Sequence, residues 1–204
     1  MPHERALLEW GVAAWTLAGQ GESGDLAVVV SFPDGMLAAV VDGLGHGPEA
    51  ARAARAAARV LRKFPGERAD RLVERAHDLL KETRGVVMTL AHFNGTDDTL
   101  TWMGVGNVQA LLASSAGRGD GGHRTLAPQG GIVGYRLPKL SPASIPIAPG
   151  DVLIAVTDGV RSDFDQPSDL SRSPKELAGQ ILEAGKKGTD DALVLVARYL
   201  GNRG

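Results

Sequence analysis

Four acidic positions each abut a very apolar run. Asp25 precedes Leu26-Ala27-Val28-Val29-Val30, and Asp42 follows Leu37-Ala38-Ala39-Val40-Val41. Asp158 follows Val152-Leu153-Ile154-Ala155-Val156-Thr157, and Asp190-Asp191 precedes Ala192-Leu193-Val194-Leu195-Val196. If these runs are neighbouring strands, their acidic ends meet at one edge of a sheet. Clustered carboxylates repel and raise one another's pKa unless cations neutralise them. An all-oxygen set, without cysteine and without a clear histidine pair, favours Mg²⁺ or Mn²⁺ over zinc or copper. Gly43 adds a backbone carbonyl that a cation can approach closely, because no side chain intervenes.

Asp-Gly pairs also make turns. A two-residue Asp-Gly hairpin needs a second strand at once, yet Asp42-Gly43 leads into a helical pattern and Asp158-Gly159 into polar Arg161, Ser162 and Asp163. The segment Asp42-Gly43-Leu44-Gly45-His46-Gly47 also invites comparison with a dinucleotide loop. A GxGxxG fingerprint starting at Gly43 would place glycine at position 48, which is Pro48. No GxxxxGK[ST] phosphate loop occurs either.

The elements that must carry these acids are mostly strands. β-type runs are read at 10–17, 26–32, 36–41, 86–93, 99–105, 108–113, 152–157 and 192–199. Pro33-Asp34-Gly35 and Gly106-Asn107 each lie between two runs and predict local antiparallel hairpins. Helices are expected over 48–63 and 69–82, broken by Phe64-Pro65-Gly66, with Leu72, Ala76, Leu79 and Leu80 forming the apolar face of the second. A third helix opens at Ser173-Pro174-Lys175-Glu176, a capping-box sequence. Runs apolar at nearly every position imply strands buried on both faces, hence a layered α/β (α+β) sandwich. Trp10, Trp15, Trp102, Met88 and Met103 are expected in the core, and 117–122 reads as a Gly-rich loop.

The chain has 204 residues, 43% hydrophobic and 23% charged, within the range of one ordinary folded domain. A formal charge of -2, from 22 basic and 24 acidic residues, gives no general reason to expect nucleic acid or an anionic membrane as partner. The absence of cysteine excludes disulfides and thiolate nucleophiles. With no signal-like start and no run long enough to span a bilayer, a cytoplasmic, monomeric protein is expected.

Ser23-Gly24-Asp25, Asp42-Gly43-Leu44-Gly45-His46-Gly47, Thr157-Asp158-Gly159-Val160 and Asp190-Asp191-Ala192-Leu193-Val194 resemble, in order and spread, the motifs of the SpoIIE-like branch of the metal-dependent (type 2C, PPM) serine/threonine phosphatases. Gly104-Val105-Gly106-Asn107-Val108, Gly130-Gly131-Ile132-Val133-Gly134-Tyr135 and the short length look most like the stand-alone RsbX-like feedback phosphatases of the stressosome. The resemblance implies one PPM-phosphatase-like domain over 1–204, an α-β-β-α sandwich without a sensor domain, holding two Mn²⁺ or Mg²⁺ ions. It implies phosphoserine or phosphothreonine substrates on STAS-domain stressosome proteins of the RsbS and RsbR types.

Carried over by motif, the resemblance implies that Asp42 bridges two metals and the Gly43 carbonyl holds one. It implies Asp158 and Asp190, the first of the acidic pair, on the other, with Asp25 in support. Two such ions, about 3.5–4 Å apart, would acidify a bridging water that attacks phosphorus in line, without a phosphoenzyme. His46 is a candidate general acid for the leaving seryl oxygen, although its place between two glycines equally fits packing or substrate contact. Adjacent acidic residues near the first motif, known in eukaryotic members, are absent, since Glu22 and Asp25 are separated. No arginine lies close in sequence to Asp25, so no phosphate-gripping side chain is named. Arg52, Arg55, Arg59, Arg62 and Lys63 form a basic stripe on the first helix, either a solvated face or a partner surface. Other readings are a same-fold enzyme acting on a small phosphoester or another phosphoprotein, and a non-catalytic binding module.

Overall fold

The computed structural model of the chain describes residues 6–114, 123–127, 129–164 and 169–201. The order begins β1 (Leu8–Trp15), β2 (Asp25–Phe32), β3 (Gly35–Gly43), α1 (Pro48–Lys63) and α2 (Ala69–Leu80). It continues β4 (Val86–Asn94), β5 (Thr99–Val105), β6 (Gln109–Ala113), β7 (His123–Leu126) and β8 (Ala143–Pro146), then β9 (Val152–Val156), α3 (Pro174–Gly185) and β10 (Ala192–Tyr199). One five-stranded sheet runs β1-β10-β9-β6-β7 and the other β2-β3-β4-β5-β8, with every strand pair antiparallel. No helix among the described residues is long and apolar enough to cross a membrane.

The core has three layers, and strand alternation assigns residues to them. In β3, Leu37, Ala39 and Val41 pack beneath α1 and α2, whereas Ala38 and Val40 face the second sheet. In β10, Leu193, Leu195 and Ala197 point between the sheets and Ala192, Val194 and Val196 point toward α3. Both faces are covered, which is why these runs show no polar alternation. Helix α1 buries seven alanines along with Val60 and Leu61, so it lies close on its sheet, and its basic stripe is exposed. Ser173 caps α3 in a complete capping box with Glu176.

Four expectations need correction. Gly106-Asn107 does not close a hairpin: β5 and β6 belong to different sheets, and the amide of Gly106 donates to the carbonyl of Gln129 instead. Trp10 is 49% exposed, because β1 is an edge strand with one neighbour. Leu79 is also exposed, at the margin of a stripe formed by Ala69, Leu72, Val73, Ala76 and Leu80. α2 ends at Leu80, two residues early, where the Thr83 hydroxyl takes up the Leu80 carbonyl. The short edge strands β7 and β8 are additions to the expected set. The Gly-rich stretch 117–122 lies outside the described residues.

Candidate metal centre

Residue parity determines where the acids point. Asp42 shares the parity of Ala38 and Val40, the face of β3 turned toward the second sheet, and Asp25 is its direct cross-strand partner on β2. Thr157 continues the between-sheet parity of Leu153 and Ala155, just beyond β9. Its hydroxyl donates to Asp25 Oδ2 at 2.7 Å while accepting from the amide of Leu193 at 2.8 Å. The two sheets are thus joined at the end where the acids gather.

A cavity of about 300 Å³ opens there, with Asp42, Asp158 and Asp190 on its wall beside Gly45, Asn107 and Ile132. Asn107 Nδ2 donates to Asp158 Oδ2 at 2.7 Å, and the Lys187 ammonium donates to the Asp158 backbone carbonyl at 2.6 Å. Asp190 Oδ1 accepts the amide of Asp191 at 2.8 Å. The neighbouring carboxylates have different occupations. Asp191 is 3% exposed and accepts from the Leu17 amide at 2.8 Å and the Gly24 amide at 2.7 Å, pinning the loop before β2. Asp190 is the member of the pair on the cavity.

Gly43 is buried, and a Cβ there would overlap the Ala50 backbone in the first turn of α1. Only glycine lets the helix start so close to the acidic strand end. His46 is exposed on the turn before α1 and is not part of the cavity wall.

Burial, followed by the charges of Asp25, Asp158, Asp190 and Asp191, pushes Asp42 up to about 8. Burial also pushes Asp25 up to about 7, assisted by Asp191, Asp190 and Asp158 and opposed by the Thr157 hydroxyl. Among the described residues, no lysine or arginine side chain pairs with Asp25, Asp42, Asp158 or Asp190. Nor do any three acidic or histidine groups there form a ready-made cation cage. Asp25 and Asp158 each have an oxygen turned onto a neighbouring donor. The donor chemistry fits hard divalent cations: the side chains offer oxygen atoms only, are half-buried and form no ion pair with a lysine or arginine among the described residues.

The sequence motifs contain Asn107 and Thr157 without giving either a role at the site, and Lys187 lies in none of them. Thr157 had a usable signal, since strand parity aims it the same way as Asp42. Asn107 belongs to a predicted turn and to a family motif, and neither of these points its amide at Asp158.

The family model of Stage II sporulation protein E (SpoIIE) matches residues 33–200. The phosphoserine phosphatase RsbX of Bacillus subtilis is 27% identical over 99 residues, 48% of this chain and 50% of RsbX, so the match spans about half of that relative. A structure solved in work on the bacterial stressosome, as a modular system adapted to control secondary messenger signalling, superposes with a TM-score of 0.86. It is 29% identical and covers 94% of this chain and 99% of that one. RsbX in complex with magnesium gives a TM-score of 0.84 at 21% identity, over 97% and 98% of the two chains. The serine/threonine phosphatase PstP/Ppp of Mycobacterium tuberculosis gives 0.72 at 16%, over 97% and 100%. These last two likenesses establish a shared fold, the expected α-β-β-α sandwich of two antiparallel sheets.

Proposed function

This chain belongs to the SpoIIE (Stage II sporulation protein E) family, and from that premise we propose that it is a metal-dependent phosphatase acting on phosphoserine or phosphothreonine of a partner protein. One observation carries the reading: Asp42, Asp158 and Asp190, from three separate strand ends, line one cavity, with Asp25 directly across from Asp42. Asp42, the Gly43 carbonyl, Asp158 and Asp190 would hold two Mn²⁺ or Mg²⁺ ions, with Asp25 supporting them. When bound, the cations supply charge neutralisation at the phosphoryl oxygens and lower the pKa of water.

The chain's own residues position that donor set. Asn107 fixes one oxygen of Asp158, and Thr157, itself held by the Leu193 amide, fixes one oxygen of Asp25. Asp191 ties Gly24 to Leu17 and so sets where Asp25 begins its strand. His46, exposed next to the wall residue Gly45, is the candidate proton donor to the leaving oxygen. A pH-rate profile unchanged in His46→Ala would remove it from the scheme.

The narrower substrate, a phosphorylated STAS-domain protein of a cytoplasmic stressosome, draws support from the partial likeness to RsbX and from the stressosome-related structure. The test is phosphate release from such phosphoproteins by the monomeric enzyme with Mn²⁺ or Mg²⁺. Release should cease with chelator and in Asp158→Asn; release indifferent to both would reject the mechanism.

A further inference from the structure

Tyr135 is 81% exposed, the most open large apolar side chain among the described residues. A lone exposed apolar residue is ordinary on a protein surface. This one stands on a rigid support beside the acidic cavity. Ile132, three residues earlier, is on the cavity wall. The turn closes on itself: the Ile132 amide donates to the Arg136 carbonyl and the Arg136 amide to the Ile132 carbonyl, both at 2.8 Å. Val133 exchanges two backbone bonds of 2.9 Å with Val86 at the start of β4.

Gly134 fastens the turn to α2. Its amide donates to His77 Nδ1 at 3.0 Å, its φ is +102°, and a Cβ there would press on Leu80. Leu79, also exposed, adjoins Leu80 on that helix. The Arg84 guanidinium lies against Gly45 on the cavity wall and pairs with Glu49 at 2.6 Å, about half exposed. The turn that carries Tyr135 thus adjoins the acidic cavity through Ile132, and Arg84 adjoins it through Gly45. A free phosphoester entering the cavity has no need of either. A phosphorylated protein must lay the residues flanking its phosphoserine around the cavity mouth, where an exposed aromatic on a hydrogen-bonded turn offers large contact area.

Resting on the phosphatase reading above, we infer that Tyr135 is a specificity-determining anchor on which a phosphoprotein substrate docks. The test compares wild type, Tyr135→Ala and Tyr135→Phe, with Mn²⁺, on a serine-phosphorylated STAS-domain protein and on p-nitrophenyl phosphate. Tyr135→Ala should raise KM on the phosphoprotein about ten-fold, as loss of an interface aromatic does, with kcat retained. Turnover of p-nitrophenyl phosphate and thermal stability should be unchanged, and Tyr135→Phe should restore the KM. Equal losses on both substrates, or no loss on the phosphoprotein, overturn the inference and leave the phosphatase reading standing. A wild type active on p-nitrophenyl phosphate alone overturns it as well. A wild type inactive on both removes the phosphatase reading and the anchor with it.

Discussion

Asn107 and Asp158 meet through a 2.7 Å hydrogen bond from the amide nitrogen of one to the carboxylate of the other, joining the sheet-to-sheet crossover to the loop after β9. An outer partner of this kind orients a ligand oxygen without touching the cation, and loss of such partners typically lowers metal affinity or activity about 10–100-fold. Asn107→Ala should therefore weaken Mn²⁺ binding and reduce kcat/KM by about ten-fold or more, with an unchanged melting temperature in chelator. Calorimetric Mn²⁺ titration beside turnover checks it; unchanged affinity and rate would make Asn107 a turn residue only.

Asp42 supports a prediction in which activity and stability move in opposite directions. Its folded pKa, about 8, lies above the unfolded value of 3.8, so the native state holds the proton more tightly. The resulting stability is fully present below about pH 4 and is lost as pH rises through the folded pKa. Asp42→Asn removes that loss. Without metal, the variant should melt with wild type near pH 4 and become progressively more stable to pH 8, by on the order of a few kcal/mol. Turnover should vanish. Thermal melts across pH in chelator decide it, and a variant less stable than wild type at pH 9 would contradict the electrostatics.

Asp25 and Asp42 also link metal binding to protons. Both carboxyls hold protons below about pH 7 in the metal-free fold, and a cation displaces them. Mn²⁺ binding at pH 6.5 should release protons and tighten as pH rises, levelling off above about pH 9. Calorimetry in two buffers of different ionisation enthalpy measures the release directly. Identical heats at pH 6.5 would mean that both groups are already ionised.

How much of this could be read beforehand depended on local signals. The strands around Asp25, Asp42, Asp158 and Asp190 were legible because burial on both faces leaves unbroken apolar runs, as in Leu37 to Val41. Helix α1 was legible to the residue because Pro48 opens it and Phe64-Pro65-Gly66 stops it. The strands β7 (His-Arg-Thr-Leu) and β8 (Ala-Ser-Ile-Pro) were not, being four residues each with one edge pairing and little apolar content. Gly106-Asn107 misled because a hairpin and a crossover use the same turn residues. What separates them is the distant Gln129 carbonyl that captures the Gly106 amide. The choice of Asp190 over Asp191 likewise came from resemblance, whereas the different hydrogen-bond duties of the two residues are visible only in three dimensions.

Far from the acidic end, Tyr199 allows stability to be separated from chemistry. Its fully buried ring stacks on Phe93 of the other sheet at 6.2 Å, and its hydroxyl donates to Asp98 in the turn between β4 and β5. Burial and that carboxylate hold the hydroxyl above the ordinary phenol range, so it remains a donor at every working pH. Tyr199→Phe keeps the stacked ring and deletes one hydrogen bond to a charged acceptor, worth about 1.5–3 kcal/mol. For a chain of this size that lowers the melting temperature by roughly 3–12 °C. Metal affinity and kcat/KM should stay at wild-type values, because neither Tyr199 nor Asp98 is on the cavity wall. A melting curve with parallel assays of turnover separates the outcomes: a stable but slower variant would mean that the packing between the sheets transmits to the acidic end.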